Sequence, residues 1–228
     1  MIRMFVVCEG QTEETFVRDV IAPILANQQV YLIPRLIPTS KGHKGGGLNY
    51  QRVKRFIINC LKEDSNAVVT TFFDLYALDS EFPCFQESQR IMDVQERAKK
   101  LENEFKLDLF KDNELFADRF IPHIQPYEFE GLLFSDVEKI IELETDWKRY
   151  LSALQLVRSE FPSPEHINNS YETKPSARLK SILKQPTYGK VRHGSLAIKS
   201  IGIDKLCEQC QHFSEWYTKL NQFGILAY

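Results

Sequence analysis

The chain lacks any apolar run long enough to cross a bilayer, and the short apolar start, residues 2–8, runs at once into acids. Neither a membrane span nor a signal peptide is expected. It also lacks an excess of charge, with 29 Lys and Arg against 31 Asp and Glu, net −2. Without a global basic footprint, contact with nucleic acid has to rest on a local basic patch. The five cysteines form no regular framework, and the odd count points to reduced thiols and a cytoplasmic location. Cys207 and Cys210 make a single C-x-x-C near His212. No second pair completes a four-ligand zinc site, so these read as core or helix-face cysteines. A P-loop, a dinucleotide fingerprint and a nucleophile elbow are all missing, which argues against a bound nucleotide cofactor and against Ser-His-Asp chemistry. No histidine reads as poised beside an acid, and no internal repeat or low-complexity linker is present.

What is present suits one large domain, or one domain with a smaller appendage: 228 residues, 43% hydrophobic and 26% charged. The first half alternates strand and helix. Residues 2–8 read as a central strand covered on both faces. Residues 13–25 place Phe16, Val17, Val20, Ile21, Ile24 and Leu25 on one helical face. Residues 30–37 read as a second strand, broken by Pro34 and so near an edge. A glycine-rich loop over residues 39–48 precedes a helix striped by Val53, Phe56, Ile57, Cys60 and Leu61. Residues 67–73 form a third strand ending at Asp74, residues 88–105 a long charged helix, and residues 119–125 a short fourth strand. This βαβ series predicts an α/β fold with a mostly parallel four-stranded sheet flanked by helices. It occupies residues 1–135, and residues 136–228 form a helix-rich C-terminal part packed on that core. Within it, Asp136 reads as the N-cap of a helix over 137–144, residues 147–161 as a further helix, and 162–175 as a polar loop.

Three of the four strand ends carry acids. Glu9 and Glu13 follow the first strand, Asp74 the third, and Glu128 and Glu130 the fourth. Parallel strands put their carboxyl ends on one edge of the sheet, where ligands bind in open α/β folds. Carboxylate oxygens converging there suit a hard divalent ion. The alternative for Glu13 and Glu14 is a helix start, where the dipole favours acids.

The Glu9-Gly10-Gln11-Thr12-Glu13 turn, with Asp74 after a later apolar strand, resembles the Toprim fold of topoisomerases, primases and OLD-type nucleases. The whole chain, through Phe73-Asp74-Leu75-Tyr76, Tyr127-Glu128-Phe129-Glu130-Gly131, Pro164-Glu165-His166, Lys174-Pro175-Ser176-Ala177-Arg178 and Gln211-His212-Phe213, resembles domain-of-unknown-function family 4276, a Toprim-like family of bacterial proteins. That resemblance implies a nuclease dependent on Mg²⁺ or Mn²⁺. Glu9, Glu13 and Asp74 would be metal ligands, and Glu9 a candidate general acid or base. Tyr76 stands where the Toprim Asp-x-Asp has its second aspartate; Glu130, ahead of Glu128 and Asp79, is the candidate replacement.

Negative charge developing on a scissile phosphate needs cationic help. Two basic clusters are candidates: Lys41, His43 and Lys44 in the glycine loop, and Lys190, Arg192 and His193, with Lys174 and Arg178 upstream. Lys190 is assigned a catalytic role with Glu9 and Asp74, and the others contact nucleic acid. The alternative is a mobile surface connection for the glycine loop and a solvated loop near a helix start for the second cluster. The resemblance further implies a separate ABC- or AAA-class ATPase as partner, and a role in phage defence or toxin-like growth arrest. Two alternatives stay open: a non-catalytic Toprim-like module acting through a partner protein, and a small-molecule enzyme. An oligomer using the long charged helix is also open.

Overall fold

A computed structural model describes residues 1–38, 48–112 and 114–225. The strands are β1 (Ile2–Cys8), β2 (Val30–Leu36), β3 (Val68–Asp74), β4 (Phe120–Ile121) and β5 (Ile124–Gln125). All pairings among them are parallel, in the order β2-β1-β3-β4, with β5 also pairing β3. All seven residues of β3 and the last five of β1 are buried, as the unbroken apolar runs require of central strands. β2 lies at the edge, where Pro34 leaves no ladder N–H wanting a partner.

The sheet has five strands where the sequence reading has four, because residues 119–125 are split at Pro122 and His123. Proline has no N–H to offer β3. The Thr71 hydroxyl bridges the gap, accepting from the His123 N–H at 2.8 Å and donating to its carbonyl at 2.9 Å.

The first half holds α1 (Gln11–Phe16), α2 (Ala22–Ala26), α3 (Tyr50–Glu63), α4 (Phe85–Ser88) and α5 (Val94–Phe110), with a π-helical turn, Val17–Ile21, joining α1 to α2. The long charged helix thus starts six residues later than the sequence reading has it and runs on to Phe110. Asp93 sets the start, its carboxylate accepting from the N–H groups of Gln95 and Glu96. The C-terminal part adds α6 (Val137–Ile141), α7 (Leu151–Ser159), α8 (Pro175–Ile182), α9 (Ser195–Ile201), α10 (Ile203–Gln209) and α11 (Gln211–Ile225).

Strand side chains alternate between faces, and two cores result. Met4, Val6, Cys8 and Phe72 face Phe16, Phe129, Phe213 and Trp216, so the C-terminal helices share a core with α1. Phe5, Val7, Val69 and Phe73 face Val53 and Ile57 of α3 and Leu101 and Phe105 of α5. Each fully buried Phe contributes about 1.5–3 kcal/mol. Among the described residues no helix is long and apolar enough to cross a membrane.

Candidate functional site

Four carboxylates meet at the carboxyl ends of β1, β3 and β5. Glu9 directly follows β1. Gly10 turns the chain into α1, and a Cβ there would stand 3.2 Å from Glu13 Oε2, so glycine leaves room for the acid. Glu13, in the first turn of α1, is 2% exposed, and Asp74, the last residue of β3, is 5% exposed. Glu130 lies wholly buried in the 3-10 turn Phe129–Ser135 that follows β5. Through this cluster passes the side chain of Lys190, from the π-helical turn Lys190–Gly194. Its Nζ stands 3.2 Å from Glu13 Oε1, 3.4 Å from Glu130 Oε2 and 3.6 Å from Asp74 Oδ2. Gly194 lets this turn pack close, because a Cβ there would lie 3.1 Å from Tyr188 Oη and 3.9 Å from Thr12 Cγ2.

The acids are poorly compensated despite the lysine. Glu13 Oε1 and both oxygens of Glu130 are buried without a hydrogen-bond partner among the described residues. Their contacts with Lys190 are ion pairs of loose geometry. Asp74 Oδ1 accepts the Phe129 N–H at 2.8 Å. Burial pushes the Asp74 carboxyl well above its ordinary range; Glu13, Glu9 and Glu130 add to this, and Lys190 opposes it. Burial also raises Glu130, again against Lys190. Glu9 keeps an exposed side chain at the mouth of the cluster. Its carboxyl is pushed up to about 7, first by desolvation and then by Glu13, while Lys190 and the Asp74 backbone amide pull it down. Burial alone would lower Lys190; Asp74, Glu130, Glu13 and Glu9 outweigh it and hold the ammonium protonated.

Beside this cluster, Glu128 accepts from Lys174 Nζ at 2.8 Å and from the Ser176 N–H at 3.1 Å. Tyr76, two residues past Asp74, packs its ring against Tyr127 and Tyr171. The structure gives the other basic candidates different partners. Arg178 donates from Nε to the Thr173 carbonyl at 2.6 Å and lies 3.8 Å from Glu160. Arg192 is paired with Glu144 at 2.8 Å. His193 is buried, accepts the Gly189 N–H on Nδ1, and faces Glu144 with Nε2. Lys41, His43 and Lys44 lie outside the described residues.

The family model described as "Domain of unknown function (DUF4276)" matches residues 8–221. The chain belongs to the DUF4276 family. No curated protein and no solved structure matches it. The matched span of this DUF4276 chain contains every carboxylate of the cluster, Lys190 and the tyrosines around Tyr76.

A second group in the DUF4276 chain escaped the sequence reading. Glu102 of α5, His123 before β5 and His212 of α11 are all buried, each with a ligand atom within 4.8 Å of the others'. Glu102 Oε1 accepts the Ile124 N–H at 2.7 Å and lies 2.8 Å from His212 Nε2. The two imidazoles are stacked, centroids 5.1 Å apart and planes 22° apart. Nitrogen lone pairs lie in the ring plane, so stacked rings aim them along parallel lines, and one ring would have to rotate for both to reach one ion. Burial lowers His212, but the hydrogen bond and charge of Glu102 outweigh it and raise the ring's pKa. Burial lowers His123, and His212 lowers it further. Glu102 thus favours the charged form of His212, while burial favours the neutral form of His123. Histidines also stand beside acids at His166–Asp93, 3.1 Å, and His193–Glu144, 3.2 Å. This corrects the expectation of no such pairing; the partners are too far apart in sequence to be seen there.

Proposed function

We propose that this DUF4276 protein is a metal-dependent nuclease that hydrolyses phosphodiester bonds in nucleic acid, with Mg²⁺ or Mn²⁺ as the ion. The observation that carries the reading is the convergence of Glu9, Glu13, Asp74 and Glu130 at one sheet edge, with buried oxygens of Glu13 and Glu130 that have no hydrogen-bond partner among the described residues. Hard, anionic oxygen donors of this kind fit Mg²⁺ or Mn²⁺ and suit neither a soft metal nor a thiolate site. Glu13, Asp74 and Glu130, with Glu9, would hold the ion. A bound ion would polarise a phosphoryl oxygen and lower the pKa of its water. Glu9, at the exposed mouth of the cluster, is placed to take or give a proton. Lys190 offsets part of the acids' repulsion and supplies positive charge where a phosphate would approach. The Toprim-like resemblance of the Glu-Gly-x-x-Glu turn adds weight. With it go a separate ATPase partner and a role in phage defence, as parts of the same proposal.

One observation favours a second reading. Lys190 already places a cation against three of the acids, and Tyr76 stands in place of a fourth Toprim acid. On that reading the protein is a binding module acting through a partner. Calorimetry with Mn²⁺, followed by plasmid and tRNA cleavage on the same samples, separates the two. Binding lost in Glu13→Ala, with metal-dependent cutting lost in Glu9→Ala and Asp74→Ala, supports the nuclease. Cutting retained in both of the latter variants sinks it, and ion binding without cutting moves the conclusion to the binding module.

A further inference from the structure

Next to the carboxylates the surface presents tyrosine rings with a cation among them, and nothing in the proposed hydrolysis uses them. Tyr76 is 37% exposed and Tyr171 66% exposed, unusual for rings that also pack on each other. The two rings meet edge to face, centroids 6.1 Å and planes 65° apart, so a base stacked on one meets the edge of the other, and Tyr76 lies 5.6 Å from Tyr127. Lys174 Nζ sits 4.1 Å from the Tyr171 ring centroid and 5.8 Å from that of Tyr76, held there by Glu128 at 2.8 Å. Tyr127 adopts a left-handed backbone, φ 55°, which a bulky residue rarely takes. Its carbonyl accepts the Tyr76 N–H at 3.1 Å, so the two tyrosines are fixed to each other at the strand ends. The Asn168 side chain contacts both hydroxyls, while its Oδ1 is buried with no hydrogen-bond partner among the described residues.

We propose that Tyr76 and Tyr171, with Lys174, form a stacking platform for an unpaired base of single-stranded nucleic acid beside the carboxylate cluster. This deepens the nuclease reading and rests on it for the adjacent chemistry. Exposed, fixed aromatic faces are what a base stacks on, and such stacking is tolerant of base identity. A duplex hides those base faces, so the platform selects strands, loops or ends with unpaired bases. Lys174, paired with Glu128, and Arg97, whose charge reaches Tyr76 and Tyr127, are cations beside these rings to which a backbone phosphate would be drawn. Tyr76 and Asp74 are two residues apart, so their Cα atoms lie within about 7 Å. A base stacked on Tyr76 would therefore leave its own phosphodiester close to the carboxylates.

The test is fluorescence anisotropy with an oligothymidine of about 12 nucleotides, its duplex with oligoadenosine, and an abasic strand of equal length, in Ca²⁺ and again in chelator. Tyr76→Ala and Tyr171→Ala are each expected to weaken oligothymidine binding about 5- to 150-fold. Tyr76→Phe should stay within about twofold, and the weaker binding of duplex and abasic strand should not change. Both tyrosines are partly exposed, and thermal unfolding of each variant checks that the fold is intact. Alanine variants that bind like wild type overturn the platform, as does an equal loss on the abasic strand or a wild type that ignores oligothymidine. Mn²⁺-dependent cleavage on the same samples keeps the two proposals apart. Tyrosine-dependent binding without cleavage supports the platform and overturns the nuclease. Cleavage with no tyrosine dependence overturns the platform alone.

Discussion

Replacing Lys190 by methionine keeps the length of the side chain and removes the charge that threads the carboxylate cluster. Glu13, Asp74 and Glu130 then face one another across a buried space with no cation. Breaking a buried ion pair by removing one partner costs about 3–5 kcal/mol, because the surviving charge is left in low dielectric. Lys190 is 35% exposed, so water screens part of the loss and the low end applies, about 3 kcal/mol near pH 7.5. For a chain of this size that is a fall of about 6–12 °C in Tm. The acids have a way out, which gives the prediction its sign. The folded-state pKa values of Glu9, Asp74 and Glu130 are raised, and removing the cation raises them further. A raised carboxyl pKa contributes stability that is present below the unfolded value, near 4, and is lost as pH rises through the folded value. The Lys190→Met defect should therefore shrink toward zero between about pH 7 and pH 5. A divalent ion should also offset it, by about 2.7 kcal/mol at a hundredfold excess over Kd. Differential scanning calorimetry at both pH values, with and without Mn²⁺, reads all three effects. An unchanged Tm near pH 7.5, or a loss equally large near pH 5, would refute the electrostatic account of the cluster.

Gly194→Ala should push Tyr188 and the Lys190 turn away from α1, at about 1–3 kcal/mol, the range for overpacking a filled space; urea unfolding measures it. His212→Gln removes the charged half of the Glu102 pair and should destabilise by about 3 kcal/mol near pH 6. The His212 pKa is raised on folding, so its contribution is present below about 6.5 and lost as pH climbs through the folded value; the variant's deficit should be smaller near pH 9. Asp108 carries the opposite sign. Desolvation would raise it, but hydrogen bonds from Lys111, Tyr50 and Lys54 outweigh that and hold its pKa down. Asp108→Asn should lose about 1–2 kcal/mol at neutral pH, and less as pH falls below about 4.

What the sequence made legible was local. β1 and β3 announce themselves by unbroken apolar and β-branched runs, and strand ends are marked by the acids that follow them. The gathering of those acids follows from parallel topology alone. Other features depend on partners the chain meets only on folding. The break in the last strand is bridged by the Thr71 hydroxyl, 52 residues from His123. The Glu102–His212 pair spans 110 residues, and no periodicity reports such a contact. Lys190 was set apart from its basic neighbours in the sequence, but not the route that takes it there: its turn packs against Thr12 and Phe129, permitted by Gly194, while Arg192 and His193 turn to Glu144. The start of α5 is a different case. Asp93, followed three residues later by Glu96, is a local N-terminal signal lying inside the span read as helix from residue 88.

The bond from Trp216 Nε1 to Thr70 Oγ1, 2.8 Å long, ties α11 to the middle of β3 across 146 residues of chain. On a ribosome adding about 5–20 residues per second, roughly 7–30 s separate the two partners' synthesis. Through that interval the face of β1 and β3 that Phe213 and Trp216 will cover stays open, long after α3 and α5 have been made to cover the other face. Phe16 of α1 and Phe129 cover part of that face earlier, and α11 completes it. Order of synthesis thus makes α11 the element that closes this face.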